Sequence, residues 1–252
     1  MAIQVYFIGA GPGDPELLTI KAKNIIERAD IIIYADSLIN PRVCTFAPKG
    51  VEIYRSASLT LEEMTGIILS AVEQGKVVAR LQSGDPSIYG AIQEQMAALD
   101  EKGIEYGIIP GVSSLFAAAA SLKTELTIPE LSQTVIITRM EGRTPVPTTE
   151  NLKNLAEHQS SMAIFLSASL IEEVVAELLA GGYHAGTPVA IVYRVSWEDE
   201  VVVRSTLNNL VEQVRASGIR KQALILVGAF LDSKGKDLRS KLYDKDFRHE
   251  YR

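Results

Sequence analysis

Cysteine is nearly missing: Cys44 is the only one in 252 residues. That excludes an intrachain disulfide and any multi-cysteine metal site. Histidine is scarce as well. His158, His184 and His249 stand far apart in polar surroundings, so no metal-binding or acid–base cluster built on histidine is visible. Tryptophan occurs once, at Trp197, in a chain with 6% aromatics. No apolar run approaches the roughly 20 residues of a membrane span. No basic leader precedes the first strand-like run, so a signal peptide is not expected. A basic excess is lacking too: the net charge is −6, which argues against general nucleic-acid binding. The exception is residues 233–252, with seven Lys/Arg against four Asp/Glu. Such a tail is ordinarily a solvated one; covering a site or a subunit contact is the rarer use. What remains is an average soluble composition, 47% apolar and 22% charged. The expectation is a soluble, cytoplasmic protein with neither membrane nor nucleic acid as partner.

The chain alternates short β-rich runs with longer helical patterns, the signature of parallel α/β layers. Strands are expected at Ile3–Gly9, Asp30–Ala35, Val51–Tyr54, Lys76–Gln82 and Glu105–Ile109. Helices are expected at Pro15–Arg28, Thr60–Gln74, Pro86–Lys102 and Ser113–Leu122. A second α/β set comes next, with strands at Thr134–Thr138, Met162–Ser167, Pro188–Tyr193, Glu200–Arg204 and Gln222–Phe230. Its helices are Thr148–His158, Ser169–Ala180 and Thr206–Ala216. Turn-like stretches around Pro129 mark a boundary, giving an N-terminal domain over 1–123, a C-terminal domain over 133–232 and a basic tail.

The first strand runs into Gly9-Ala10-Gly11-Pro12-Gly13-Asp14-Pro15. A dinucleotide fingerprint needs a small residue five positions after Gly9, and Asp14 stands there. Asp14-Pro15 is a good helix start, and its carboxylate takes the N–H groups that a pyrophosphate would want. An anionic ligand is therefore disfavoured at this loop. A plain strand–helix turn is the simpler alternative. The device recurs at Ser83-Gly84-Asp85-Pro86, where Asp85 again reads as a helix cap. A third turn, Pro110-Gly111-Val112-Ser113-Ser114, leads into a helix that Ser113 can cap. Three glycine turns at the carboxyl ends of strands in one sheet, two with a negative cap, suit a ligand carrying positive charge.

In this order and spacing, GAGPGDPELLT, RLQSGDPSIYG and IIPGVSS resemble the tetrapyrrole (corrin/porphyrin) methyltransferases. The resemblance covers about residues 3–231. YADSLIN (Tyr34–Asn40), TRMEGRTPVP (Thr138–Pro147) and the tail LYDKDFRHEYR (Leu242–Arg252) are similar to one corrin-pathway branch of that family. The resemblance implies two α/β domains with a cofactor cleft between them, a homodimer, and S-adenosylmethionine as methyl donor to a tetrapyrrole, a corrin precursor, with S-adenosylhomocysteine as product. It implies that Pro12, Ser83, Gly84, Asp85, Ile88, Ser113 and Ser114 contact the cofactor, with Leu166, Val195 and Ala223 from later strand ends. Ser83 replaces the first of two glycines that the family commonly has there.

Methyl transfer from a sulfonium is an in-line displacement in which the protein mainly positions and desolvates. No Ser/His/Asp constellation is expected, and none is visible. Asp36, after the second strand, is a candidate for orienting a pyrrole N–H or moving a proton; a strand-end cap is its plainer use. A substrate fringed with carboxylates needs cations. Arg139 and Arg143 are the first candidates, with Arg55 and Arg194 behind them, although surface arginine is the usual case. Trp197 reads equally as packing or as ligand wall, and Cys44 as a bystander. Within the resemblance, a member methylating C1/C2/C7 or C17 of a related macrocycle is the alternative. Two other classes stay open on the residues alone: a nucleotide-binding, NAD-dependent dehydrogenase with Asp36 on a ribose, and a tetrapyrrole carrier without catalysis.

Overall fold

The computed structural model describes residues 3–233, Ser240, Phe247 and Arg248. Apart from the last two, the tail segment Leu242–Arg252 lies outside the described residues, and His249 with it. The chain divides into two compact units: Met1–Ala117 with Arg194–Asp199, and Ala118–Tyr193 with Glu200–Arg252. No helix among the described residues is long and apolar enough to cross a membrane.

The first unit is built on five parallel strands: β1 (Val5–Gly9), β2 (Ile31–Tyr34), β3 (Glu52–Arg55), β4 (Val78–Gln82) and β5 (Tyr106–Ile109), in the order β3-β2-β4-β1-β5. Its helices are α1 (Ile20–Ile26), α2 (Leu61–Glu73) and α3 (Gln93–Asp100), with α4 (Ser114–Leu122) continuing into the second unit. The run Ile-Ile-Ile-Tyr of β2 is buried throughout because both faces are covered. Ile32 packs with Ala22, Ile25 and Ile26 of α1. Ile31 and Ile33 pack on the other face with Met64 and Ile68 of α2 and Leu99 of α3. Each such side chain contributes about 1.5–3 kcal/mol when removed from water.

This layering positions the site. From β1 the chain crosses one face through α1; from the neighbouring β4 it crosses the opposite face through α3. Adjacent strands that send their chains to opposite faces leave a crevice at their carboxyl ends, where open α/β sheets bind ligands.

Two expected helix starts differ. Asp14 does accept from the Glu16 N–H at 2.9 Å, but Pro15–Leu17 forms only a 3₁₀ turn. The α-helix begins at Ile20, capped by Thr19, whose Oγ1 accepts from the Ala22 N–H at 3.2 Å. Asp85-Pro86 starts no helix. The chain turns through Tyr89 and Ala91, both at positive φ (55° and 49°), and α3 begins at Gln93. Left-handed residues cannot continue an α-helix.

The second unit holds β6 (Val135–Arg139), β7 (Ser161–Phe165), β8 (Pro188–Tyr193), β9 (Val201–Thr206) and β10 (Ala223–Val227), in the order β6-β7-β10-β8-β9. Helices α5 (Leu152–Ala156), α6 (Ile171–Ala180) and α7 (Leu207–Ser217) share one core with Met162, Ile164, Val189, Ile191, Ile225 and Val227. The expected parallel layering fails here. Only β6 and β7 run parallel; β10 is antiparallel to β7 and β8, and β8 to β9. Apolar runs announce strands but not their direction. The connection from β8 to β9 is too short for the crossover that a parallel pair requires.

The cap assignment is tested by stability. Thr19→Ala should cost about 1 kcal/mol in urea unfolding, and Asp14→Ala clearly less. Equal losses would mean that Asp14 starts one continuous helix after all.

Candidate active site

The tips of β1, β4 and β5 lie side by side, and their turns are stitched together by backbone. Ala10 donates to the Gln82 carbonyl at 2.8 Å. Gly11 and Gly84 exchange both hydrogen bonds, at 3.2 and 2.8 Å, as an isolated antiparallel bridge. This floors the crevice between β1 and β4 with peptide groups rather than side chains. A methyl group on Gly111 would lie 2.2 Å from the Gly84 carbonyl oxygen and 2.7 Å from the Gly9 Cα. One on Gly9 would lie 2.5 Å from Gly111. The three strand tips therefore approach to backbone contact, which only glycine permits.

Asp85 ties the middle turn to the third. Its Oδ2 accepts from the Gly111 N–H at 2.8 Å; its Oδ1 accepts from the Ser87 N–H at 2.9 Å and the Ser87 hydroxyl at 2.5 Å. Burial raises the Asp85 carboxyl pKa, but the Ser87 hydroxyl, the Gly111 N–H and the Ser87 N–H together outweigh it and hold the group below its usual range. The carboxylate is thus ionised at neutral pH and makes no ion pair among the described residues. It is a fixed negative charge at the crevice.

The structure places the other sequence candidates individually. Gly84 packs on Ser113 and Ser114, with the position of its missing methyl 3.4 Å from the Ser113 Cα and 3.6 Å from the Ser114 nitrogen. Ser113 is buried, and its Oγ accepts from the Leu115 N–H at 3.3 Å, as a helix cap should. Pro12 is buried, Ser83 exposed and Ile88 half-buried. Val195 is buried and lies in the Arg194–Asp199 segment of the first unit. Asp36 is exposed in the turn after β2, at the same sheet edge as the glycine turns. In the second unit, Leu166 comes directly after β7 with 66% exposure and a φ of 54°. A left-handed conformation is uncommon for a leucine and carries a strain cost. Ala223 opens β10, half-buried opposite Tyr193. Arg139 ends β6 and donates to the carbonyls of Thr144 (3.1 Å) and Pro145 (2.6 Å), shaping the turn beyond the strand.

Sequence reasoning missed what three further residues do. Ser87 completes the Asp85 staple, and the Asp-Pro-Ser order is a legible turn signal. Gly111 reads as a turn residue in the sequence, yet it serves close packing. Arg80, in the midst of an apolar strand, is 6% exposed and donates to Gln95 Oε1 at 3.1 Å and the Leu81 carbonyl at 3.0 Å. Burial pushes its pKa down to about 10, so it stays charged at neutral pH.

With this geometry in view, comparison with known proteins is decisive. Residues 4–211 match the family model of tetrapyrrole (corrin/porphyrin) methylases. The chain belongs to that family. Membership implies a methyl donor. Over 249 residues it is 59% identical to a cobalt-precorrin-4 C(11)-methyltransferase of Methanocaldococcus jannaschii, covering 99% of this chain and 96% of that protein. Its fold matches the X-ray structure of a cobalamin biosynthetic enzyme, cobalt precorrin-4 methyltransferase, with a TM-score of 0.88 and 48% identity over 90% of this chain and 95% of the other. It also matches a uroporphyrin-III C-methyltransferase from Thermus thermophilus complexed with S-adenyl homocysteine. There the TM-score is 0.76 and the identity 27%, over 91% and 99% of the two chains.

Two glycine substitutions should move stability in opposite directions. Gly111→Ala meets backbone on two sides and should cost about 1–3 kcal/mol. Gly66→Ala, inside α2 with open space around it, should gain about 0.5–1 kcal/mol. Urea unfolding of both variants checks the close approach; a neutral Gly111→Ala would disprove it.

Proposed function

We propose that this chain transfers a methyl group from S-adenosylmethionine to C11 of cobalt-precorrin-4. The observation that carries the reading is the unneutralised Asp85 carboxylate beside glycine-only backbone at the β1/β4 switch point. The names of the relatives over nearly the whole chain support the substrate. The cobalt belongs to the substrate.

The residues fit the donor. S-adenosylmethionine carries a sulfonium and an ammonium, and a fixed carboxylate is their natural counterpart. Bare glycine tips allow close approach. The Ser113 and Ser114 hydroxyls can serve the donor's carboxylate, with Ile88 and Val195 as apolar cover. Asp14 keeps the neighbouring N–H of Glu16 occupied, which removes a landing place for phosphate.

When bound, S-adenosylmethionine would supply an activated methyl group for the ring carbon and leave as S-adenosylhomocysteine. The chain's own residues bind and orient. Asp85 holds the donor's cationic part, and the stitched turns fix it, so that alignment rather than acid–base chemistry lowers the barrier. Such positioning is worth about 7–11 kcal/mol when reacting atoms are held in line. Arg139 makes no ion pair among the described residues, and we assign it to a carboxylate of the macrocycle. Asp36 faces the same edge as a partner for a pyrrole N–H.

Donor labelled in its methyl group, incubated with the C17-methylated macrocycle with and without cobalt, tests the reaction. The label should appear at C11, with S-adenosylhomocysteine released and the cobalt form preferred. Label at another ring carbon, or none, overturns the assignment.

Two variants should separate the roles. Asp85→Asn keeps an acceptor but loses the charge, and should weaken S-adenosylhomocysteine binding about tenfold, or about 1.4 kcal/mol. Because the wild-type carboxyl is held below its usual ~3.9, its contribution is complete above that pH. It is lost only as pH falls through the lowered value, and the Asn variant should lack this acid limb. Arg139→Ala should raise the KM of the macrocycle more than that of the donor. Calorimetry and steady-state kinetics decide; equal, small effects on both ligands would remove the residue concerned from the site.

A further inference from the structure

The middle of the first glycine turn is not held by its own strand or helix. Gly11 is tied to Gly84, and Asp14 to Glu16. Between them Pro12 has no N–H, and its carbonyl is its only backbone handle. That carbonyl accepts from the indole N–H of Trp197 at 3.1 Å. The same indole lies against Gly13: a methyl group there would be 2.1 Å from the Trp197 Cδ1. One residue back, Ser196 Oγ accepts from the Asp14 N–H at 2.9 Å. Three consecutive residues of the turn are thus held by two residues more than 180 positions away in sequence, all within the first unit.

The holding segment is itself braced. Trp197 donates its backbone N–H to the Arg194 carbonyl at 3.0 Å, closing a tight turn. The Arg194 guanidinium stacks 3.9 Å from the centre of the indole ring and pairs with Asp199. Arg194 and Ser196 both adopt positive φ, 45° and 64°. Side chains rarely accept that conformation unless their surroundings impose it. With the guanidinium on the ring, that face is closed to a sulfonium. The indole therefore acts through the turn and not as a cation box.

We propose that Trp197 is the positioning residue of the donor turn: braced by Arg194 and Asp199, it fixes Pro12 and Gly13 in the conformation that meets S-adenosylmethionine. This rests on the reading that the donor binds at these turns. Trp197 is the only tryptophan of the chain, so tryptophan emission reports on this residue alone.

The test combines fluorescence with calorimetry on the full chain, using S-adenosylhomocysteine as probe. Wild type should show a saturable change in tryptophan emission whose midpoint equals the calorimetric Kd. Trp197→Phe keeps a ring beside Gly13 but leaves the Pro12 carbonyl without its donor, and should raise the Kd about tenfold. Its KM for the donor should rise with the Kd, and its KM for the macrocycle should not. Should that variant fail to fold, Ser196→Ala removes the acceptor for Asp14 while keeping the indole, and should raise the Kd severalfold. A binding isotherm with silent fluorescence, or a folded variant with lowered melting temperature and unchanged Kd, shows that Trp197 merely packs and overturns this proposal alone. No binding of S-adenosylhomocysteine by wild type removes the donor reading, and this proposal with it.

Discussion

The Asp85 carboxylate accepts three hydrogen bonds, one of them from Gly111 on the neighbouring turn. That single side chain sets both the shape and the charge of the crevice. Its bond to Gly111 holds the tips of β4 and β5 together. It can do so only because Gly9 and Gly111 carry no side chains to keep the strands apart. The same three donors keep the carboxyl ionised against the cost of its partial burial. A site built in this way answers to a cation, and it gives backbone rather than side chains as its floor.

The architecture explains why this edge is the one we propose for the donor. β1 and β4 are neighbours, yet their chains leave to opposite faces of the sheet. The gap between them is a place along the edge where the connections part. The Gly11–Gly84 bridge narrows that gap without filling it. Methyl transfer asks little more of a protein than to hold two reactants in line and keep water away. A rigid, glycine-floored crevice supplies alignment, and an activated donor makes an acid–base machine unnecessary.

Much of this was legible in the residues, and the failures are instructive. The strands of the first unit showed themselves as apolar runs, and the glycine turns lie together at the carboxyl edge of one sheet, as their places after the strands implied. Asp14-Pro15 and Asp85-Pro86 both read as helix starts. Each in fact begins a tight turn, because the motif specifies only the first few hydrogen bonds. The path of the chain beyond the motif is set by later residues: Thr19 recaps the first helix, and Tyr89 and Ala91 turn left-handed before the other. The direction of β10 was invisible for a similar reason, since an apolar run has no polarity. The contacts of Gly111 with Gly84, and of Trp197 with Pro12, join residues far apart in sequence, and no local pattern encodes them.

The central claim is that a methyl donor sits against the turns stitched by Asp85. A crystal structure of the chain grown with S-adenosylhomocysteine tests it most directly. The account predicts the ligand against Ser83–Ile88 and Pro110–Ser114, with the Asp85–Gly111 hydrogen bond intact. A fully occupied ligand lodged elsewhere, with these turns bare, would contradict it.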